Sequence, residues 1–172
     1  MGQMITIRQL NALSANAFTA LLAEVFEHSP WVAERVAPMR PFADIEALHR
    51  AMVVVVEQAT DAERLVLLRA HPELAGREAQ DGALTSASAG EQSRAGLDAL
   101  NKSELAQIMR LNTRYQSQHG FPFIVCVGRH TKRSIFQEFE RRLNNSTRDE
   151  TQEALAQVAL IARLRLAALI AE

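Results

Sequence analysis

The chain has 172 residues, with 19 Lys+Arg against 20 Asp+Glu for a net charge of −1, and one cysteine, Cys126. That length fits a single domain, residues 1–172, able to bury roughly 70% of its unfolded surface without disulfides or metal. No basic stripe interleaved with aromatics is present, which argues against nucleic acid, and a lone cysteine excludes an internal disulfide and fits a reducing compartment.

The first elements read as helices. Ser14 opens a run in which Phe18, Leu21, Leu22, Val25 and Phe26 share one face at helical spacing. "SP" at 29–30 predicts an N-cap serine and a first-turn proline ahead of Trp31, Val32 and Val36. After Pro38 and Pro41, the residues Phe42, Ile45, Leu48, Met52, Val53 and Val56 continue the helical period. "TDAE" (60–63) is a capping box, and its helix has to stop at His71, because the residue before a proline is pushed out of the helical region.

"GREAQDGALTSASAG" (76–90) reads as a loop, and "SAGE" (88–91) as a second capping box opening a helix through Leu97 and Leu100. A further helix carries Leu105, Ile108, Met109, Leu111 and Tyr115 and stops at Gly120. "FPFIVCV" (121–127) has strand-like composition but no second strand to pair with, so a buried extended segment is expected. Thr131 or Ser134 starts a helix with Ile135, Phe136, Phe139 and Leu143, and "TRDE" (147–150) is read as a third capping box before a long final helix. The fold class expected is all-α, a single-domain bundle of about eight helices.

"MVVVV" is too short for a membrane span, and "VALIARLRLAALIA" is broken by Arg163 and Arg165, whereas a span needs about 20 apolar residues. No membrane partner is expected. "MGQMIT" fits the loose myristoylation pattern, Met-Gly followed by Thr6, without a polybasic patch; the plain reading is an extension ahead of Met4. The closing "IAE" lacks a peroxisomal tripeptide, so a cytoplasmic location is expected.

Three residues stand out chemically. Val158, Ile161, Ala162, Arg165 and Leu169 fall on one helical face, so Arg165 sits in an apolar stripe. It either snorkels or pairs with a glutamate, or it lines a cavity that receives an anion. Arg163 is offset and expected to be solvated. Glu91 is accounted for as the fourth residue of a capping box, although a helix start with Ser88 and Gln92 also makes a polar cradle for an anion. His71 reads either as a boundary residue or as a positioned acid or base. His28, His49, His119 and His130 show no metal-binding spacing, Cys126 reads as a small buried hydrophobe, and no phosphate loop or GxSxG is present. Neither a metal nor another cofactor is expected.

Taken together, "AHPELAG" (70–76), "S…EQSRAGLDAL" from Ser88, "LNTRYQSQHGFPFIVCVGR" (111–129) and "IARLRL" (161–166) resemble the 2-oxo-4-hydroxy-4-carboxy-5-ureidoimidazoline (OHCU) decarboxylase family. The likeness runs in order over nearly the whole chain, beginning at Phe18–Val36. It implies a lyase of urate (purine) degradation on the ureide pathway, an all-α fold that is often a homodimer, and no cofactor. It implies His71 as the proton donor and Pro72 lining the site. Ser88, Ala89, Gly90, Glu91 and Gln92 are implied to contact substrate, and Phe123, Ile124, Val125, Cys126 and Val127 to give backbone contacts. Arg165 follows Ile161 and Ala162 in register, whereas Arg163 does not.

The implied substrate is OHCU, a small heterocycle bearing a carboxylate, a tertiary hydroxyl and a ureido arm. Its own ring C=N can take up the electron pair that CO2 leaves behind. His71, Glu91 and Arg165 are then the expected catalytic set, with (S)-allantoin as the expected product of allantoin biosynthesis. Competing readings are a non-catalytic helical ureide-binding module and a structural interaction protein. A thiol enzyme of the peroxidase-associated decarboxylase-like group would need a C-x-x-C pair, which this chain lacks.

Overall fold

A computed structural model of the chain describes residues 4–171; Met1–Gly2, on which the myristoylation reading falls, lie outside the described residues. Ten helices account for most of the described residues: α1 (Ile7–Ala12), α2 (Ala15–Leu22), α3 (Trp31–Val36), α4 (Ile45–Glu57), α5 (Asp61–Arg69), α6 (Arg77–Gln80), α7 (Ser86–Arg94), α8 (Lys102–His119), α9 (Lys132–Arg142) and α10 (Thr147–Leu169). Two-residue strands β1 (Ile5–Thr6) and β2 (Ile170–Ala171) pair in parallel, Ile5 opposite Ile170. The all-α expectation holds. The count exceeds the expected eight because α1 and α6 carry too little apolar periodicity to be read from sequence.

Two compact units share this chain, one formed by residues up to Ala70 and from Ala159 onward, the other by His71–Val158. In the first unit, α3 packs on α4 and α2 on α3. Leu10, Phe18, Leu22, Val32, Leu48, Met52, Leu67 and Leu68 are withdrawn from solvent. Asn11 ties this unit further, donating to the Phe42 carbonyl at 2.8 Å and accepting from its N–H at 2.9 Å. In the second unit, α8 packs on α9 around Tyr115, Phe121, Phe123 and Phe139. The Phe123 and Phe139 rings stack at 3.7 Å.

Helix starts follow local hydrogen bonding. Ser14 caps α2 through Ala17 N–H, Thr60 and Glu63 form the expected capping box on α5, and Thr131 caps α9. Gly120 ends α8 at φ 80°, the left-handed conformation that glycine adopts without strain.

Three expected caps are corrected. Ser29 does not cap α3: its hydroxyl donates to the Glu27 carbonyl at 2.9 Å, and Pro30 precedes the helix without a side-chain cap. "SAGE" is not a helix start, because α7 begins two residues earlier under Thr85, whose oxygen accepts from Ser88 N–H. Nor is "TRDE" a box: Ser146 accepts from Asp149 N–H at 3.1 Å, and Glu150 is fully buried instead. Any Ser or Thr three residues before an acid fits the motif; where several compete, the chain's entry into the helix selects one.

Candidate active site

His71 follows directly on α5, whose C-cap is Ala70, and is 7% exposed. The residues after it form a turn rather than a helix. Ala75 adopts φ 49°, an unusual value for a residue with a Cβ, and Gly76 starts α6. A Cβ at Gly76 would stand 2.6 Å from the Cβ of Glu73, so this close approach admits only glycine.

Side-chain amides satisfy the backbone of the turn. Gln92 Oε1 accepts from Ala75 N–H at 2.8 Å, and Gln92 Nε2 reaches the Glu73 carbonyl at 3.5 Å. Asn112 Nδ2 donates to the Leu74 carbonyl at 2.9 Å, and Gln80 Nε2 to the Ala75 carbonyl at 3.2 Å. Burial and the neighbouring Glu78 carboxylate push the Glu73 carboxyl above its ordinary range.

Helix α7 supplies the predicted contact residues Ser88, Ala89, Gly90, Glu91 and Gln92. Ser88 and Gln92 are buried, Gly90 and Glu91 half-buried, and Ala89 exposed. Because α7 starts at Ser86, Glu91 lies in mid-helix and has no capping duty. The structural explanation open to it in the sequence is thereby removed, and so is the anion cradle of helix-start amides at Glu91. The Gln92 bonds join α7 to the turn after His71, and α7 also packs against the 3-10 turn Val127–Arg129. A cavity of about 420 Å³ lies on the Ala89 and Gln92 face of α7, walled by Ala75, Leu84, Leu97 and Leu105; neither His71 nor Glu91 lines it.

Residues 121–126 form neither helix nor strand and Val127 opens the 3-10 turn; 121–127 is buried throughout, as expected. Its course is fixed by two side chains. Arg142 Nη1 donates to the Ile124 carbonyl at 2.6 Å, and Gln157 Oε1 accepts from Cys126 N–H at 2.9 Å. Arg142 is itself 0% exposed and pairs with Glu150, also 0% exposed, at 2.8 Å; its guanidinium lies 4.4 Å from the centre of the Phe123 ring. The Tyr115 hydroxyl donates to the same carboxylate. Burial pushes the Glu150 carboxyl up, but the bonds from Arg142, Tyr115 and Asn145 outweigh it and hold the group below its ordinary value. Burial and the bond to Glu150 push the Tyr115 phenol up.

In the other unit, Arg165 is 7% exposed and meets Glu27, 1% exposed, at 2.8 Å, while donating to the Glu24 carbonyl at 3.0 Å. The acidic partner demanded by an arginine in an apolar stripe is therefore Glu27. Arg163 pairs with Glu46 at 2.6 Å near the surface. Thus the turn bearing His71, the helix bearing Glu91 and the 3-10 turn that begins at Val127 belong to one unit, and Arg165 to the other.

Sequence reasoning passed over Asn112, Gln157, Arg142, Glu150 and Glu27. Asn112 carries a signal, a polar residue between Ile108 and Tyr115 where the helical period calls for an apolar one; Glu27, in an irregular stretch, carries none. No cluster of three or more His, Cys, Asp or Glu suited to a metal occurs among the described residues.

The comparisons with known proteins agree with this architecture. The family model described as OHCU decarboxylase matches residues 11–167. A 2-oxo-4-hydroxy-4-carboxy-5-ureidoimidazoline decarboxylase of Haloferax volcanii is 41% identical over 163 residues, 95% of this chain and 95% of that protein. A uric acid degradation bifunctional protein of Bacillus sp. (strain TB-90) is 40% identical over 163 residues, 95% of this chain and 32% of that protein. A crystal structure of (S)-allantoin synthase is similar with a TM-score of 0.79 at 28% identity, covering 96% of this chain and 54% of that one. The chain belongs to the OHCU decarboxylase family.

Proposed function

We propose that this chain, a decarboxylase of urate degradation by its family, converts OHCU to (S)-allantoin and CO2 with His71, Glu91 and Arg165 as the working side chains and no cofactor. The observation that carries the reading is a buried histidine on a turn whose backbone is tied down by three side-chain amides. Fixing an irregular turn this firmly makes sense where a ring must be aimed. The family match runs through both compact units, which supports treating residues 1–172 as one functional domain.

The bond that breaks joins the carboxylate to the hydroxyl-bearing ring carbon. Its electron pair moves into the adjacent ring C=N, so the substrate supplies its own electron sink. The ring nitrogen that receives the pair takes up a proton, the hydroxyl gives up its own as its carbon becomes a carbonyl, and the ureido-bearing carbon takes up a proton. One proton is consumed overall when the substrate enters as a carboxylate. His71 donates to the ring carbon from one face, a task suited to a group whose ordinary pKa of about 6.5 keeps both forms accessible. Protonation from one face yields one enantiomer. Glu91 anchors the hydroxyl or ureido group. Arg165, oriented by Glu27, holds an anionic or carbonyl part of the substrate with its planar fork. Pro72, Ser88 to Gln92 and Phe123 to Val127 complete the contacts. A homodimer and a cytoplasmic location are proposed on the resemblance alone; no helix among the described residues is long and apolar enough to cross a membrane.

Mixing the protein with freshly generated urate oxidation product, while following CO2 and optical activity, tests this reading. The expected result is accelerated CO2 release and optically active allantoin from the parent. His71→Ala and His71→Asn are expected to stay folded, lose rate and give racemic product. Saturable binding without CO2 release would instead establish the non-catalytic ureide-binding module.

A further inference from the structure

The turn after His71 carries more restraint than its fold requires. Buried backbone groups need partners, and helices and turns normally provide these from the backbone itself. Here four backbone groups, the carbonyls of Glu73, Leu74 and Ala75 and the Ala75 N–H, are each bonded to a side-chain amide from Gln92, Asn112 or Gln80. Ala75 is meanwhile held at φ 49°. Backbone conformations of this kind persist where the surroundings over-determine them, and they cluster at functional sites.

Asn112 is the most deeply placed of the three partners and lies outside the predicted contact set. It is 3% exposed on α8, a long helix packed against α9. Its Nδ2 is directed at Leu74 O, and its Oδ1 has no hydrogen-bond partner among the described residues. Exchanging the two amide atoms would set oxygen against oxygen, so the Leu74 bond fixes the orientation. Asn112 keeps one amide arm unsatisfied while the other holds the carbonyl three residues from His71, a buried acceptor that an apolar residue such as leucine would leave without its donor.

We infer that Asn112 is a positioning residue for the decarboxylation: through the Leu74 carbonyl it fixes the turn that aims His71. This rests on the reading of His71 as proton donor. Asn112 touches no reacting atom. Its removal is expected to let the turn relax and the imidazole shift, while the groups that bind substrate stay in place.

The test is a double-mutant cycle on the full chain, with steady-state rates and allantoin enantiomer ratio as readouts at a temperature where every variant is folded by circular dichroism. Asn112→Leu is expected to lower kcat ~10- to 100-fold, the scale of a small misplacement of a catalytic group, with KM changed less than ~3-fold and enantiomeric purity reduced. In a His71→Ala background the same substitution is expected to change nothing further, because both act through one ring. A folded Asn112→Leu with the parent's kcat overturns the proposal, as does a full additional loss on top of His71→Ala. Should leucine not fit, Asn112→Ala goes through the same cycle; if neither variant folds, Asn112 is purely structural and the proposal fails. A full-rate His71→Ala removes the underlying reading itself, whereas an inactive His71→Ala beside a full-rate Asn112→Leu removes the positioning role alone.

Discussion

Glu27 holds a carboxylate oxygen 2.8 Å from the Arg165 guanidinium, with side chains 1% and 7% exposed. Neither charge is stable there without the other, since taking away one member of a buried pair strands its partner in a poor dielectric. Arg165→Ala is therefore expected to cost about 3–5 kcal/mol of stability besides any effect on substrate, and loss of activity in that variant says little about contact with substrate. Glu27→Gln keeps the shape and one hydrogen-bond acceptor, so the expected loss is about 1–3 kcal/mol. Arg165→Lys retains the charge but not the fork, and a raised KM with kcat less affected is expected from it. Urea melts and steady-state kinetics on the three variants check this. An Arg165→Lys variant with the parent's KM would leave Arg165 as a structural ion pair only.

That pair also shows what a sequence can and cannot disclose. The anomaly at Arg165 is legible, because helical periodicity puts it among Val158, Ile161 and Ala162. Its solution is not, because Glu27 lies in a short irregular stretch beside His28 at φ 45°, where no periodicity applies. The same division runs through the site. His71 before Pro72 and the buried 121–127 segment can be read from local chemistry. The start of α7 cannot, since Thr85 and Ser88 both fit a cap and only the path of the preceding loop chooses Thr85. Glu91 changes from a cap to a mid-helix carboxylate on that choice alone. The partners of Asn112, Gln157 and Arg142 are invisible to local reading, because each bonds a backbone group at least 18 residues away.

His119 predicts a pH dependence of stability. Its Nδ1 meets Thr147 Oγ1 at 2.9 Å, its ring lies 4.6 Å from that of Tyr115, and its Nε2 is buried without a hydrogen-bond partner among the described residues. Burial pushes its pKa down; Glu150 opposes the shift and Arg142 adds to it. A histidine with a lowered folded pKa binds fewer protons folded than unfolded, so stability rises with pH and is lost as pH falls through the ordinary value of about 6.5. Chemical melts between pH 8 and 5 are expected to show a steeper acid-side decline for the parent than for His119→Gln. Parallel curves would show that His119 protonates as easily folded as unfolded.

Arg142 and Glu150 are expected to behave as a unit. Both are 0% exposed, and Arg142 also holds the Ile124 carbonyl at 2.6 Å. Arg142→Met strands the buried Glu150 carboxylate, and Glu150→Leu leaves Arg142 with only the Glu153 carboxylate at 3.8 Å; each is expected to cost about 3–5 kcal/mol. The double substitution removes both charges and is expected to be less destabilised than the sum, with a coupling of about 1–3 kcal/mol in a thermal or urea cycle. It still leaves the Ile124 carbonyl without its donor, so activity is expected to stay low even where stability recovers. Simple additivity would mean that the two groups do not depend on one another.

Gly76→Ala sets two effects of opposite sign against each other. Gly76 has φ −78°, which alanine adopts freely, so the loss of unfolded-state freedom alone would stabilise the protein by about 0.4–1 kcal/mol. Against this, the new methyl would meet the Glu73 Cβ at 2.6 Å. That atom cannot swing aside, because it is bonded directly to a backbone whose carbonyl Gln92 and Gly76 N–H both engage. Overpacking of this kind costs about 1–3 kcal/mol, so the clash wins and the variant is expected to melt earlier than the parent. Relief can come only by opening the turn between Glu73 and Gly76, and the position of His71 depends on that turn. A fall in kcat larger than the change in KM is therefore expected alongside the lower melting temperature, and a stabilised, fully active Gly76→Ala would show the turn to be looser than its hydrogen bonds imply.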